Sequence, residues 1–279
     1  MSPRRSAALL LAPCLAVLLG LLALPQALMF LASLWQRSAY GGLVREWTLA
    51  NYARALDPLY LWILARSFGL ALATTALCLA VSWPVAYWIG LRAAPRLRNA
   101  LLVLVVLPFW TSFLVRMYAW MFLLRQEGLV NQALALVGVP PLPLLYNDFA
   151  VMLGQVYGEL PFMILPLYAS LEKLDRSLLE AAADLGATPL CRLRRVTLPL
   201  AAPGMAAGCL LVFIPSLGAF LAPDLLGGGR SVYVGNLVQS QFAVARDMPF
   251  GSAVSFLLTL AVLAALWVFR RPLRAASEA

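Results

Sequence analysis

Two ionisable side chains, Arg116 and Glu159, lie inside long apolar stretches of the sequence. Charged groups within a membrane-spanning segment are costly and mark functional sites by default. At about 1.5 Å per helical residue, Glu159 lies ~15 Å and Arg116 ~12 Å from the outer ends of their stretches, so the two could meet. Two interpretations stay open. The residues form an internal ion pair, or Glu159 faces a cavity and attracts a cationic amine.

Aromatic residues cluster around Arg116 in the sequence, and they are Phe109, Trp110, Phe113, Tyr118 and Trp120. Of these, Trp110 and Tyr118 are further candidates for a substrate path. The face of an aromatic ring attracts a cation. Aromatic residues also form belts at the membrane interface, so packing at that interface is the alternative explanation for each ring.

The sequence lacks the residues that most other chemistries need. It contains no histidine, which removes most Ser–His and Cys–His nucleophilic sites and most zinc sites. Lys173 is the only lysine and follows no glycine-rich loop, so the chain has no phosphate-binding Walker A motif. We expect no catalytic residue, metal or cofactor here, and any ATP and Mg²⁺ would bind to a partner. The cysteines have no metal-ligand spacing and are Cys14, Cys78, Cys191 and Cys209.

The elements that must position these residues are apolar segments. The chain is 63% hydrophobic with a mean hydropathy of +0.86, well above a soluble domain. A spanning helix needs about 20 apolar residues, and lipid cannot satisfy an unpaired backbone. The sequence therefore predicts an all-α integral membrane protein of about six transmembrane helices. The stretches are Ala7–Leu34, Ser67–Leu91, Asn99–Leu124, Phe149–Leu171, Gly204–Leu221 and Gly251–Phe269.

The basic residues predict the orientation of these helices. If the N-terminus is cytoplasmic, the inner segments carry about twice as many Arg and Lys residues as the outer loops. Both termini are therefore expected in the cytoplasm. The first apolar run follows Arg4 and Arg5 but is too long for a cleaved signal peptide, so we expect it to remain as a helix.

The segment between the fourth and fifth stretches, residues 172–203, is long enough to fold on the inner side. Ser177 and Glu180 have the spacing of a capping box, which predicts the start of a short helix. Gly186 stands where a left-handed residue would end that helix. Thr188 and Pro189 predict the start of a second helix, which would run toward Val196.

The same segment also predicts where the second helix ends and which residues form the two sides of the first helix. Pro199 restricts the residue before it and is expected to close the second helix. In the first helix, Leu174, Leu178 and Leu185 form an apolar stripe with Ala181 or Ala182. Such a helix could lie in the lipid interface or dock into a partner protein. Docking is favoured because an interfacial helix needs neither a break nor a capped second helix. The charged residues on the opposite side are Arg176, Glu180 and Asp184.

The residues Glu180–Ala181–Ala182, Gly186 and Val196–Thr197–Leu198–Pro199 resemble the EAA loop of bacterial ABC-importer permeases. That family's pattern has isoleucine where this sequence has Val196. The resemblance implies a MetI-like permease fold in the inner membrane and a loop whose short helices dock into an ATPase subunit. The residues that it places in this ATPase-coupling loop are Glu180, Ala181, Ala182, Asp184, Gly186, Leu198 and Pro199.

Other segments are similar to the first permease of spermidine/putrescine-type importers. The resemblance implies a second homologous permease, an ATPase dimer and a periplasmic substrate-binding protein as partners, with no nucleic acid. It implies an N-terminal helix and loop over 1–66 and a permease core over 67–271. The alternatives are a permease for another small solute or anion, a membrane enzyme, or an ion-coupled carrier. The similar segments are 107–116, 160–168 and 223–228.

Overall fold

The computed structural model describes residues 3–38, 43–229 and 231–277, and these residues are predominantly helical. The short elements at the N-terminal side are a hairpin of β1 (Gln36–Arg37) and β2 (Leu43–Val44), paired antiparallel. The helices are α1 (Pro3–Ser33), α2 (Ala50–Ala55), α3 (Pro58–Leu91), α4 (Pro95–Val106), α5 (Phe113–Leu124), α6 (Leu129–Leu136), α7 (Asp148–Glu172), α8 (Arg176–Asp184), α9 (Pro189–Arg192), α10 (Leu198–Gly218), α11 (Leu221–Gly227), α12 (Val234–Ala243) and α13 (Met248–Ser277).

The described helices confirm an all-helical protein with several spans. Five segments are long and apolar enough to cross a membrane, and a bent helix pair brings the number to six if it counts as one span. The five segments are Leu11–Ser33, Pro58–Leu91, Asp148–Glu172, Pro189–Gly218 and Met248–Trp267.

The predicted third span, Asn99–Leu124, is wrong as a continuous helix. The chain runs through α4 and a 3₁₀ turn at Leu107–Trp110, and then bends by 91° before α5. Pro108 has no N–H to continue the helix, and Thr111 is extended with φ −97° and ψ 144°. The break therefore lies in the middle of the predicted apolar stretch.

The chain divides into two compact units. The first contains Met1–Trp62 and Leu237–Ala264. Within it, the Arg54 guanidinium forms a 2.9 Å ion pair with Asp247 and lies 3.9 Å from the centre of the Phe250 ring. Asn51 donates to the carbonyl oxygens of Ser33 and Trp35 at 2.9 and 2.8 Å, which satisfies backbone groups at the end of α1.

The second unit contains Ile63–Asn236 and Ala265–Ala279, and its centre is the packing of α7 on α10. Gly204 lets α10 approach the backbone of α7, because a Cβ atom there would collide with the Pro166 carbonyl oxygen. Gly208 faces Met163 in the same way, with only 2.7 Å from an added Cβ to the sulfur. Small residues thus set the spacing of these two helices, as is common in membrane proteins.

Candidate functional site

The first candidate site is the 172–203 segment, which folds as α8, a turn and α9. Asp175 is the N-cap of α8, and its carboxylate accepts the backbone N–H of Ser177 at 2.9 Å. This backbone hydrogen bond lowers the pKa of Asp175. The predicted Ser177–Glu180 capping box is therefore wrong: the helix begins one residue before Ser177, because a better acceptor precedes it.

The end of α8 is as predicted. Gly186 has φ +82°, and its N–H donates to the Ala183 carbonyl at 2.9 Å. The Ala187 N–H donates to the Ala182 carbonyl at 3.0 Å, which completes a Schellman motif. A residue without a Cβ atom is favoured there because the left-handed conformation costs other residues about 1–2 kcal/mol.

The start of α9 is also as predicted, but its end is not. The Thr188 hydroxyl accepts the Cys191 N–H at 3.3 Å, and Pro189 occupies the first turn. Pro199 does not close the helix, because α9 continues through a π-helical turn at Leu193–Thr197 directly into α10. Pro199 lies in the first turn of α10, where the irregular turn before it relaxes the demand for its missing N–H.

The apolar stripe of α8 splits between two environments. Leu174 is buried at 8% exposure, whereas Leu178 is 47% and Leu185 is 89% exposed. The carboxylates of Glu180 and Asp184 are exposed and make no ion pair with any residue that the structure describes. Leu174 therefore anchors the segment, and Leu178 and Leu185 are exposed apolar side chains.

The predicted contact residues do not all share one environment. Ala181 and Gly186 are exposed, and Ala182 lines a groove of ≈ 350 Å³ together with Gly186. Leu198 is half-buried and Pro199 is exposed at the start of α10.

Several contacts seat this segment on the ends of the long helices. The Arg98 guanidinium at the start of α4 forms a 2.9 Å ion pair with Glu172 at the end of α7. Leu179 of α8 and Arg192 of α9 line a small cavity of ≈ 130 Å³ together with Tyr87 of α3. The α8–α9 segment therefore meets α3, and the ion pair ties α4 to the end of α7 that precedes α8.

The second candidate site surrounds Arg116 in the first turn of α5. The guanidinium carbon lies 5.1 Å from the ring centre of Phe109, 5.4 Å from that of Phe113 and 5.9 Å from that of Tyr157. The Nε and Nη1 atoms are buried and have no hydrogen-bond partner in the described part of the chain. The described groups that surround this cation are aromatic faces.

Glu159 lies next to this cage on α7. The Phe113 ring packs against Gly158, where an added Cβ atom would lie only 2.7 Å from a ring carbon. The charges of Arg116 and Glu159 interact, but the two side chains do not form an ion pair in this structure. The Glu159 Oε2 atom is buried, and no residue that the structure describes forms a hydrogen bond with it.

The other two substrate-path candidates lie outside the cage. Trp110 is 86% exposed and lines an apolar groove with Val103 and Val106, and Tyr118 is 44% exposed. The sequence pointed to Phe109 and Phe113 as neighbours of Arg116 but missed Tyr157. Only the packing of α5 on α7 brings Tyr157 to Arg116, so no local spacing could have revealed it.

A polar network that the sequence did not reveal joins the first half of α3 to the start of α7. Arg66 contacts both oxygens of Asp148 at 2.8 and 2.7 Å. Ser231 and Tyr233 also donate to Asp148, at 2.5 and 3.0 Å. Burial and this hydrogen bond raise the pKa of Tyr233 to about 12. Among the residues described, no group of His, Cys, Asp and Glu could hold a metal ion.

Comparison with known proteins identifies the class. Residues 82–274 match the family described as the binding-protein-dependent transport system inner membrane component, so the chain belongs to that family. This confirms the predicted ABC-importer permease class, a multi-pass transport subunit of the inner membrane. A solved bacterial ABC transporter involved in import of the acidic polysaccharide alginate has the same fold, with a TM-score of 0.75 at 17% identity over 95% of this chain and 96% of that one.

Particular relatives are closer in sequence. The chain is 43% identical over 229 residues to the spermidine/putrescine transport system permease protein PotB of Escherichia coli K12, which covers 81% of this chain and 83% of that protein. It is 44% identical over 226 residues to PotB of Haemophilus influenzae, with 80% and 79% covered.

Proposed function

We propose that this chain is one permease subunit of an importer that carries a polyamine such as spermidine or putrescine across the inner membrane. ATP hydrolysis in a separate subunit would drive the transport. The observation that carries the proposal is the shape of residues 172–203: two capped helices, broken at Gly186, with an unpartnered apolar edge. This segment lies within a chain that is 43% identical to a polyamine permease.

The 172–203 segment is the proposed coupling loop, and the partner into which it docks is the ATPase subunit. Leu178 and Leu185 offer exposed apolar contacts, and Glu180 and Asp184 on the opposite side of the helix are exposed carboxylates without an ion pair among the described residues. Ala182 leaves room for a close approach along the ≈ 350 Å³ groove. A short amphipathic helix with an exposed apolar edge suits insertion into a groove on a partner protein.

The contacts of the coupling loop give the proposed mechanism. When the ATPase subunits move together, α8 moves with them. Leu179 and the Arg98–Glu172 ion pair then pass that movement to α3, α4 and α7. Rigid helices carry such displacements because packed interfaces shift between discrete arrangements. The permease would thereby alternate between cavities open to either side.

The proposed topology places both termini and the coupling loop in the cytoplasm, as the distribution of basic residues indicates. Residues 1–66 would form an N-terminal helix and outer loop, and residues 67–271 the permease core. A second permease would complete the pathway, and a periplasmic binding protein would deliver the solute. This chain itself would need no cofactor, since ATP and Mg²⁺ would bind to the ATPase.

The proposed substrate path includes Glu159, Arg116, Trp110 and Tyr118. A buried carboxylate with a free oxygen attracts an ammonium group, and the neighbouring rings stabilise the same charge. This chemistry fits a polyamine, which carries several ammonium groups on an apolar chain. The relatives named for spermidine and putrescine transport support the same class.

The test is uptake of radiolabelled spermidine by proteoliposomes that contain the complete importer. We expect vanadate-sensitive uptake by the wild type, and loss of uptake with normal assembly in Glu159→Gln. The matched control is Glu127→Gln, which changes an exposed carboxylate between α5 and α6. Spermidine uptake that ignores vanadate would contradict the ATP-driven mechanism. Normal uptake by an assembled Glu159→Gln importer would remove Glu159 from the path.

A second candidate is a permease for a small anion. The observation that favours it is Arg116, a cation in the first turn of α5 whose Nε and Nη1 atoms have no hydrogen-bond partner among the described residues. Competition separates the two candidates. Spermidine uptake that is inhibited by unlabelled putrescine but not by small anions supports the polyamine, and the reverse pattern supports the anion.

A further inference from the structure

The cage around Arg116 has the chemistry of a binding site for an organic cation, and a cation of the chain itself occupies it. Three rings from two parts of the sequence converge on the guanidinium: Phe109 and Phe113 beside the break before α5, and Tyr157 on α7. Trp120 supports Tyr157 in an edge-to-face contact, with 5.5 Å between ring centres. The Tyr157 ring is therefore supported independently of Arg116.

We propose that Arg116 is a tethered occupant of a cation site formed by Glu159 and the rings of Phe109, Phe113 and Tyr157, and that an ammonium group of the substrate displaces it during transport. The inference rests on the proposed function, because it takes an organic cation as the cargo. It adds that the Arg116 side chain occupies the cation site when no substrate is bound.

The unpaired polar atoms favour an exchangeable occupant over a fixed structural ion pair. A structural pair would bring the guanidinium and the carboxylate into contact, since a buried charge is otherwise costly. Here the Nε and Nη1 atoms of Arg116 and the Oε2 atom of Glu159 form no hydrogen bond with residues 3–38, 43–229 or 231–277. The Glu159 oxygen is left as a free acceptor at the edge of a site that already holds positive charge.

Arg116 places a positive charge near Glu159 when no substrate is present, without an ion pair between the two side chains. A substrate ammonium has three N–H donors and could satisfy Oε2 directly. The flexible Arg116 side chain would then leave by changing rotamers, without any change in the helices. The substrate would bind only after the Arg116 side chain has left the cage, so Arg116 lowers the apparent affinity of the permease for the substrate.

The experiment measures equilibrium binding of radiolabelled spermidine to the purified complex of both permeases and the ATPase, without the binding protein. We expect Arg116→Ala to bind spermidine about tenfold more tightly than the wild type, because a desolvated cation–ring contact of this kind no longer competes. Guanidinium chloride should compete with spermidine in Arg116→Ala, where the cage is vacant, and have little effect on the wild type. Tyr157→Leu in the Arg116→Ala background should weaken that competition.

The matched control is Arg125→Ala. Arg125 also lies over an aromatic ring, 4.6 Å from the centre of Phe122, but outside the cage. The Arg125→Ala importer should bind spermidine with the same affinity as the wild type, and guanidinium chloride should again have little effect on that binding. If Arg116→Ala does not assemble, Arg116→Gln carries the same expectation, because it removes the charge and keeps a long polar side chain.

The outcomes separate the two claims. If the wild-type importer takes up no spermidine, the polyamine function is wrong. A different result would overturn only the tethered-cation inference: the wild type takes up spermidine, but the neutral Arg116 variants bind spermidine no more tightly than the wild type, and guanidinium chloride does not compete with it. Tighter binding together with guanidinium competition in those variants alone supports it.

Discussion

Replacing Gly186 by alanine offers a clean test of the coupling loop, because the chain contains a matched glycine elsewhere. Gly186 ends α8 at φ +82° and Gly138 ends α6 at φ +79°. Both close Schellman motifs with the same pair of backbone hydrogen bonds. An added Cβ atom meets no atom within 4 Å at either position. The two substitutions therefore impose the same backbone strain and differ only in location.

The size of the effect follows from the backbone conformation. A residue with a Cβ atom in the left-handed region costs about 1–2 kcal/mol. The reduced freedom of the unfolded chain offsets about 0.4–1 kcal/mol of this. The net penalty is about 1 kcal/mol at each glycine, which changes a local equilibrium roughly fivefold. Gly186→Asn should cost less, because asparagine tolerates the left-handed conformation.

The assay is spermidine uptake per ATP hydrolysed by the reconstituted importer. We expect Gly186→Ala to lower this ratio about fivefold, Gly186→Asn to lower it less, and Gly138→Ala to leave it unchanged. Equal losses at Gly186 and Gly138 would show that general stability, not the angle between α8 and α9, sets the ratio. Full coupling in an assembled Gly186→Ala importer would also refute the reasoning.

Three further outcomes are expected. Leu185→Gln should weaken co-purification of the ATPase subunit, because Leu185 is 89% exposed on the proposed coupling loop. The control is Leu136→Gln, which changes a residue that is 90% exposed on α6 and should leave co-purification unchanged. Gly204→Ala should lower the Tm of the complex by several degrees, because the added Cβ atom would collide with the backbone of α7. The control is Gly69→Ala, whose Cβ atom would meet no atom within 4 Å and should leave the Tm unchanged. The cap of α8 should weaken as pH falls, since Asp175 has a lowered pKa in the folded state.

The sign of the pH effect follows from proton linkage. A carboxylate whose pKa is lowered by folding stabilises the folded state above its ordinary pKa and loses that effect as pH falls through the folded value. The protection factor of the capped α8 amide, which is its hydrogen exchange corrected for the intrinsic effect of pH, should therefore fall under acidic conditions in the wild type. Asp175→Asn keeps an acceptor that does not titrate, so the same loss of protection in that variant would contradict the assignment.

Local signals in the sequence predicted the parts of the fold that depend on single residues. The left-handed end of α8 at Gly186 and the start of α9 at Thr188 were both correct, because each is set by the conformational preference of one residue. The start of α8 was wrong, because Asp175 and Ser177 are both good caps and local spacing does not rank them. The break in Asn99–Leu124 was missed, since an apolar run has the same hydropathy whether it is straight or bent by 91°.

The candidate cation site shows what composition and spacing cannot supply. The sequence identified Arg116 and Glu159 as costly charges at similar depths, because hydropathy alone reveals a charge in an apolar stretch. It left open whether they pair, and Tyr157 gave no signal at all. The answer depends on how the broken helix presents α5 to α7, and on Gly158 leaving room for the Phe113 ring.

By itself, the sequence determined that this chain spans a membrane, that it contains no Walker A motif, and that it presents a broken pair of short helices. These properties follow from residue types and near neighbours along the chain. Only the tertiary structure decided that Arg116 lies among aromatic rings instead of against Glu159, and that Leu185 faces outward while Leu174 is buried. Those outcomes depend on contacts between residues far apart in the chain, and the packing of whole helices sets them.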